Sequence, residues 1–274
     1  MTAAAVIPRT ARCQVRCGPL TAGWLSSFTH GCTYGVRKGR THIDALQLTG
    51  ERTLPGIEVE NYWFRRHEAV YRALAPYCAG AGVLEAGCGE GYGAALLAGV
   101  ARAVVALDYD PAAIAHAAAA YPVAAVRANL VALPFRDGAF DVVVSLQTVE
   151  HLWDQPLFVR ECRRVGRLLL LSTPNRLTFS PGRDTPLNPF HTTEFSPAEL
   201  RALLGPVELL GLRHGPALVA ADQRHGGIVA AQLAGPPQTW SPALLADVAA
   251  VSAADFVLSG DDLDRCLDLV AVAR

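Results

Sequence analysis

From Val83 to Thr173 the chain alternates short apolar runs with stretches of helical character, and this alternation restricts the fold more than any other feature. VLEAG (83–87), AVVALD (103–108), AAVRAN (124–129), FDVVVSLQ (140–147) and RLLLLST (167–173) read as strands. YGAALLAGV and PAAIAHAAAA lie between the first three and read as helices, the second opening with Pro111 where a helix needs no N–H. The continuous apolar run of FDVVVSLQ is that of a strand covered on both faces. Strands joined through helices cannot pair as hairpins. They imply an α/β fold, a mostly parallel sheet with helices on both faces.

Residues 1–45 show little hydrophobic periodicity and are expected to form a disordered leader. Arg9, Arg12, Arg16, Arg37, Lys38 and Arg40 precede its first acid, Asp44, yet the whole chain carries a net charge of −1, which argues against a general nucleic-acid binder. Cys13, Cys17, His30 and Cys32 match no common zinc-finger spacing. Seven scattered cysteines suit a reducing compartment better than a disulfide frame. There is no signal-peptide pattern, and no apolar run reaches the ~18–20 residues of a bilayer span, so a cytoplasmic protein without a membrane span is expected.

Residues 46–274 are expected to form one domain. Trp63, His67, Val70, Tyr71 and Leu74 recur at helical spacing and predict a helix over 58–77, closed by Pro76 and Gly80. The proline-rich segment 174–195 has no clear period and reads as an inserted lid. A helix at Pro197–Leu204, a strand at Val207–Leu212, an Ala-rich helical insertion over 219–256 and a last strand in LDLVAVAR complete the reading.

The turn after the first strand, LEAGCGEGYG (84–93), holds glycines at alternate positions and points to a cofactor. A P-loop needs GxxxxGK before Ser or Thr, and the only lysine is Lys38, far upstream. A dinucleotide fingerprint fits weakly on Gly89, Gly91 and Ala94, with Asp108 19 residues past Gly89. Glu85 decides against it: an acid at this edge repels a pyrophosphate and suits a cationic ligand. With Gly87, Gly89 and Gly91 it forms ExGxGxG, which resembles the first loop of the class I S-adenosylmethionine (AdoMet) dependent methyltransferases.

That resemblance implies a Rossmann-like fold with a mostly parallel seven-stranded sheet, the last strand antiparallel, and AdoMet as cofactor. Glu85 would face the ammonium end of AdoMet, the loop Gly87, Cys88, Gly89, Glu90 and Gly91 its methionine portion, and Asp108 its ribose hydroxyls. Tyr109, Leu130 and Asn129 would lie at the adenine, Asn129 standing where an aspartate is commoner. Ser145 and Gln147 would line the pocket, and His67 and Tyr71 would cap it. Asp110, before Pro111, reads as a helix cap instead.

The order of TGERTLPG, ENYWFRRHEAVY, LEAGCGEGYG, VEHLWD, STPNR and SPGRDTPLNPFHTTEF, from Thr49 onward, is similar to that in actinobacterial methyltransferases of polymethylated polysaccharides, specifically methylglucose lipopolysaccharide. The resemblance implies O-methylation of a sugar or oligosaccharide acceptor, by in-line displacement with a general base. A small-molecule or lipid-quinone acceptor and a catalytically silent AdoMet-binding subunit remain the alternatives. His151, His191 and Glu150 are the expected catalytic groups, His151 directly after the fourth strand, where the crevice of an open sheet lies. Tyr62, Trp63, Trp153, Arg176, Arg183 and Asn188 are expected at the acceptor, with Phe190 a further stacking surface. Glu150, Asp154, Asp184 and His191 could gather a divalent metal such as magnesium, but their spacing does not enforce it, and the reading assigns no metal site.

Overall fold

A computed structural model describes residues 52–274; the basic leader and its cysteine–histidine group lie outside the described residues. Eight strands form one sheet: β1 (Gly82–Ala86), β2 (Ala103–Asp108), β3 (Ala124–Arg127), β4 (Phe140–Leu146), β5 (Gly166–Pro174), β6 (Glu208–His214), β7 (Phe256–Ser259) and β8 (Asp268–Ala273). Their order is β3-β2-β1-β4-β5-β8-β6-β7. The first five run parallel, with Leu84 of β1 opposite Val105 of β2 and Val143 of β4. β8 enters antiparallel between β5 and β6. β7 is the difference from the seven expected strands: it pairs antiparallel with β6 at the sheet edge, just where the helical insertion ends.

The helices are α1 (Asn61–Leu74), α2 (Tyr92–Ala98), α3 (Pro111–Ala120), α4 (Gln155–Val165), α5 (Arg176–Phe179), α6 (Pro197–Leu204), α7 (Pro216–His225), α8 (Ile228–Leu233) and α9 (Pro242–Ala250). Alternation along β1 sends Val83 and Leu84 to opposite faces, and a separate apolar layer covers each. Val83 belongs with Leu74 of α1, Leu97 of α2, Ile228 of α8 and Val248 of α9. Leu84 belongs with Phe158, Cys162 and Val165 of α4 and Leu200 and Leu204 of α6. Local chemistry fixes the helix starts: Asp110 accepts from Ala112 N at 2.8 Å ahead of Pro111, and Ser196 and Glu199 form a reciprocal capping box. No helix among the described residues is long and apolar enough to cross a membrane.

The strand order reverses direction at β1 and β4, so the crevice lies outside their carboxyl ends. The glycine turn and the residues after β4 both arrive there.

Candidate active site

The turn between β1 and α2 is built on backbone. The amides of Gly87 and Cys88 donate to Leu107 O at 2.8 and 2.9 Å, and Gly89 N donates to Asp108 Oδ2 at 2.8 Å. Gly87, Gly89 and Gly91 have φ of +88°, +51° and +99°, a region that side chains disfavour. A Cβ at Gly87 would overlap Thr148, and one at Gly91 would come to 2.7 Å of Ala117 Cβ.

Glu85 is fully buried beneath this turn. Its Oε1 accepts from Tyr71 OH at 2.5 Å, and its Oε2 has no partner among the described residues. Burial pushes its pKa up to about 8, against the pull of the Tyr71 hydroxyl. A buried acceptor of this kind, beside a turn with no room for a Cβ at Gly87 or Gly91, suits the cationic cofactor expected from the motif. The pH dependence follows from the sign of the shift. A carboxyl raised in the folded protein costs nothing below its ordinary 4.5 and progressively destabilises the fold as pH climbs from there to about 8. Glu85→Gln is therefore expected to flatten part of the fall in melting temperature between pH 5 and 8.5, and to weaken AdoMet binding. Parallel melts of the two proteins check this; superimposable pH profiles would count against it.

Other residues of the expected cofactor set lie as follows. Asp108 uses Oδ2 on Gly89 and Oδ1 on Asp110 N, each oxygen keeping a second lone pair. Tyr109 is exposed beneath the Arg127 guanidinium, Leu130 is buried, and Asn129 Oδ1 accepts from Val131 N at 3.0 Å. Glu90 is buried and accepts from Tyr121 OH, Tyr92 N and His116 Nε2, which makes it a brace between the start of α2 and α3.

A cavity of about 390 Å³ opens beside the turn, between α1, the ends of β4 and β5 and the 174–195 segment. Gln147, directly after β4, has φ +51°, strain of about 1–2 kcal/mol in a residue other than glycine, and faces this cavity. Glu150, in the short turn Val149–His151, is fully buried; Thr173 Oγ1 donates to its Oε2 at 3.1 Å, while Oε1 has no partner among the described residues. Burial lifts its pKa to about 8. His151 Nδ1 lies 3.1 Å from the Phe190 carbonyl, which can only accept, so Nδ1 carries the proton. His191 Nδ1 lies 2.8 Å from Glu194 Oε1, and the Asn188 amide donates to His191 Nε2 at 3.1 Å. The two imidazoles meet edge to face at 4.9 Å. Thr192 ties this part of the 174–195 segment to Glu150 O and Leu152 O, so it rests on the turn after β4.

Of the residues expected at the acceptor, Trp63, Asn188 and Phe190 line the cavity. Four do not. Tyr62 is fully buried on the other side of α1, its hydroxyl 2.7 Å from His214 Nε2. Trp153 is 89% exposed. Arg176 is paired with Glu199 at 2.9 Å, and Arg183 is exposed. His67 lines the cavity with Thr53 Oγ1 at 3.4 Å from its Nδ1; burial lowers its pKa to about 4, so it is neutral at physiological pH. Tyr71 lies behind it, on Glu85. Of the four residues that could gather a metal, Asp154 caps α4 through Leu157 N and Asp184 is exposed, whereas Glu150 and His191 lie together, beside His151.

Residues not anticipated from sequence complete the walls. Arg66 of α1 makes a bidentate pair with Asp268 of β8 at 2.6 and 2.7 Å, almost wholly buried, and stands 5.4 Å from the Trp63 ring. Arg52 pairs with Asp110 at 2.8 Å at the margin toward the glycine turn. Phe179 and Glu194 frame His191. The signals available were weak: Arg66 shares a helix face with Trp63, and Glu194 follows His191 by three.

A family model described as a methyltransferase domain matches residues 84–168, from β1 into β5. A probable S-adenosylmethionine-dependent methyltransferase of Mycobacterium tuberculosis is 57% identical over 246 residues, covering 83% of this chain and 89% of the relative. One of Mycolicibacterium smegmatis is also 57% identical, covering 84% and 95%. Among solved structures, a chain in the complex of the Haloferax volcanii Trm112 methyltransferase activator with a methyltransferase superposes with a TM-score of 0.52 at 16% identity, over 78% of this chain and 92% of that one. At that identity the likeness concerns the fold.

Proposed function

Because the chain belongs to the class I AdoMet-dependent methyltransferases, we propose that its acceptor is a sugar hydroxyl of a glucan or glucan precursor, as in methylglucose lipopolysaccharide. The observation that supports this acceptor is the cavity lining. Trp63 and Phe179 offer aromatic faces to the C–H face of a pyranose, and the floor behind them is polar, with Asn188, Glu150, His151 and His191. Glu150 Oε1 is buried and unpaired among the described residues, at a cost of about 1–3 kcal/mol, and the several neighbouring hydroxyls of a sugar supply donors for it beside the one that is methylated.

Bound AdoMet supplies a sulfonium methyl group for in-line displacement. The glycine turn, Glu85 and Asp108 hold and orient that cofactor. Glu150, His151 and His191 surround the acceptor oxygen and assist the loss of its proton, a contribution of roughly 10²–10⁴-fold in rate for well-placed groups. Phe179 and Phe190 keep water from the line of transfer.

Incubation with methyl-labelled AdoMet, short glucans and, in parallel, a quinol is the test. Label is expected on a sugar hydroxyl, at a position read by mass spectrometry. Transfer to the quinol alone would reject the sugar acceptor.

A further inference from the structure

The three side chains at the floor of the cavity are placed as ligands are placed. Glu150, His151 and His191 each bring a ligand atom to within 4.8 Å of the other two. We propose that they form a site for one divalent transition-metal ion, with coordination positions left open toward the cavity for neighbouring acceptor hydroxyls.

Two further observations point the same way. First, Glu150 is fully buried, yet its Oε1 has no hydrogen-bond partner among the described residues. A carboxylate oxygen in that state costs free energy until something positive or donating reaches it. Second, both imidazoles are held from behind. A ligating histidine almost always donates its other ring N–H to a carboxylate or a backbone carbonyl, which fixes its tautomer. His151 Nδ1 does so to Phe190 O at 3.1 Å, and His191 Nδ1 to Glu194 Oε1 at 2.8 Å. Both rings therefore carry the lone pair on Nε2. Glu194, fully buried, has no other hydrogen-bonding partner on Oε1 among the described residues, so orienting His191 is its visible work.

The donor set selects the ion. Two imidazoles and one carboxylate suit zinc, manganese or iron(II) better than magnesium, which prefers oxygen and keeps its water. Three protein ligands, rather than four, are the mark of a site that also binds substrate. Around an ion at about 2.1 Å, ligand atoms stand roughly 3–3.5 Å apart, so atoms that now lie within 4.8 Å of one another draw together on binding. The Asn188 amide, now donating to His191 Nε2, is displaced in that movement and remains beside the acceptor. A vicinal diol chelating the ion would be oriented by two oxygens at once, and the acidity of the bound hydroxyl would rise, so that with the ion in place its proton passes to water and the three side chains act through the ion.

The use of the ion in catalysis rests on the sugar reading above; its binding does not. The test therefore begins without AdoMet or acceptor. Manganese(II), added to metal-stripped protein, is followed by the loss of free-ion electron paramagnetic resonance signal, and zinc by competition. One equivalent is expected, with zinc displacing manganese and magnesium competing at least tenfold more weakly. Glu150→Gln and His151→Ala should each weaken manganese binding by at least tenfold, and Glu194→Gln by about tenfold through His191. Thermal melts and AdoMet binding, both expected to be retained, show that these variants are folded. No stoichiometric binding at millimolar manganese, or binding unchanged in folded Glu150→Gln and His151→Ala, would overturn the site. Methyl transfer to a quinol alone would reject the sugar reading and leave these binding results standing.

Discussion

Arg66→Met is expected to destabilise the protein by about 3–5 kcal/mol, far more than the loss of an exposed ion pair. The guanidinium holds Asp268 through two hydrogen bonds and donates a third to Leu267 O at 2.9 Å, with 3% of the arginine side chain and none of the aspartate exposed. Its removal leaves a carboxylate in the core with no counter-charge. The pair itself earns little, because burying two ions costs nearly what their attraction returns. The double variant Arg66→Met/Asp268→Leu should therefore recover most of the loss. Urea denaturation of the three proteins checks this, and a single-variant loss below about 1 kcal/mol would contradict it. The change should also reach His67. Its pKa is held at about 4 by burial, with Asp268 opposing and Arg66 assisting. Without Arg66 the imidazole becomes more basic, which NMR titration of its ring protons would detect.

Gly87→Ala should weaken AdoMet binding by at least thirtyfold, about 2 kcal/mol. The residue would sit at φ +88°, which costs an L-amino acid about 1–2 kcal/mol, and its Cβ would press on the Thr148 side chain, with Cγ2 at 2.5 Å. Overpacking of that kind costs about 1–3 kcal/mol where the neighbour cannot yield. Thr148 is held by its hydroxyl on Leu146 O at 3.1 Å, so the glycine turn is the part that moves. Adding Thr148→Ala removes the overlap but leaves the φ strain, so partial recovery is expected. Calorimetry gives both affinities. An unchanged affinity in Gly87→Ala would separate this turn from cofactor binding.

The first five strands were legible because their signal is local: each apolar run is bounded by a helix start or a turn. β7 was not, since Phe256–Ser259 is four residues long, half exposed, and follows an Ala-rich stretch that reads as helix. The motif after β1 located a tight turn down to single glycines, because positive φ leaves few other choices. Glu90, inside that motif, shows the limit: its partners are His116 of α3 and Tyr121 just beyond that helix, and no spacing announces them. The same holds for Arg66 and Asp268, which are 202 positions apart. Tyr62 and Trp63 illustrate a finer failure. Neighbours on a helix point about 100° apart, so only one of two adjacent aromatics could face the cavity, and the sequence does not say which. Trp153 looked like a stacking platform after His151, but the chain leaves its short turn at Leu152 in extended form and turns the indole to water.

β8 carries a consequence for the order in which the molecule is completed. It is the last strand in the chain and yet lies inside the sheet, between β5 and β6. Until residues 268–273 have been synthesised, the sheet exists as two pieces, β3-β2-β1-β4-β5 and β6-β7, each with a bare strand edge. Asp268 opens that strand, so the counter-charge for Arg66 arrives with it. A nascent chain halted before this point would own its glycine turn, β1 and β4, while the Arg66 guanidinium still lacked its partner. Such a chain would expose two unpaired strand edges together, the kind of surface on which chaperones act.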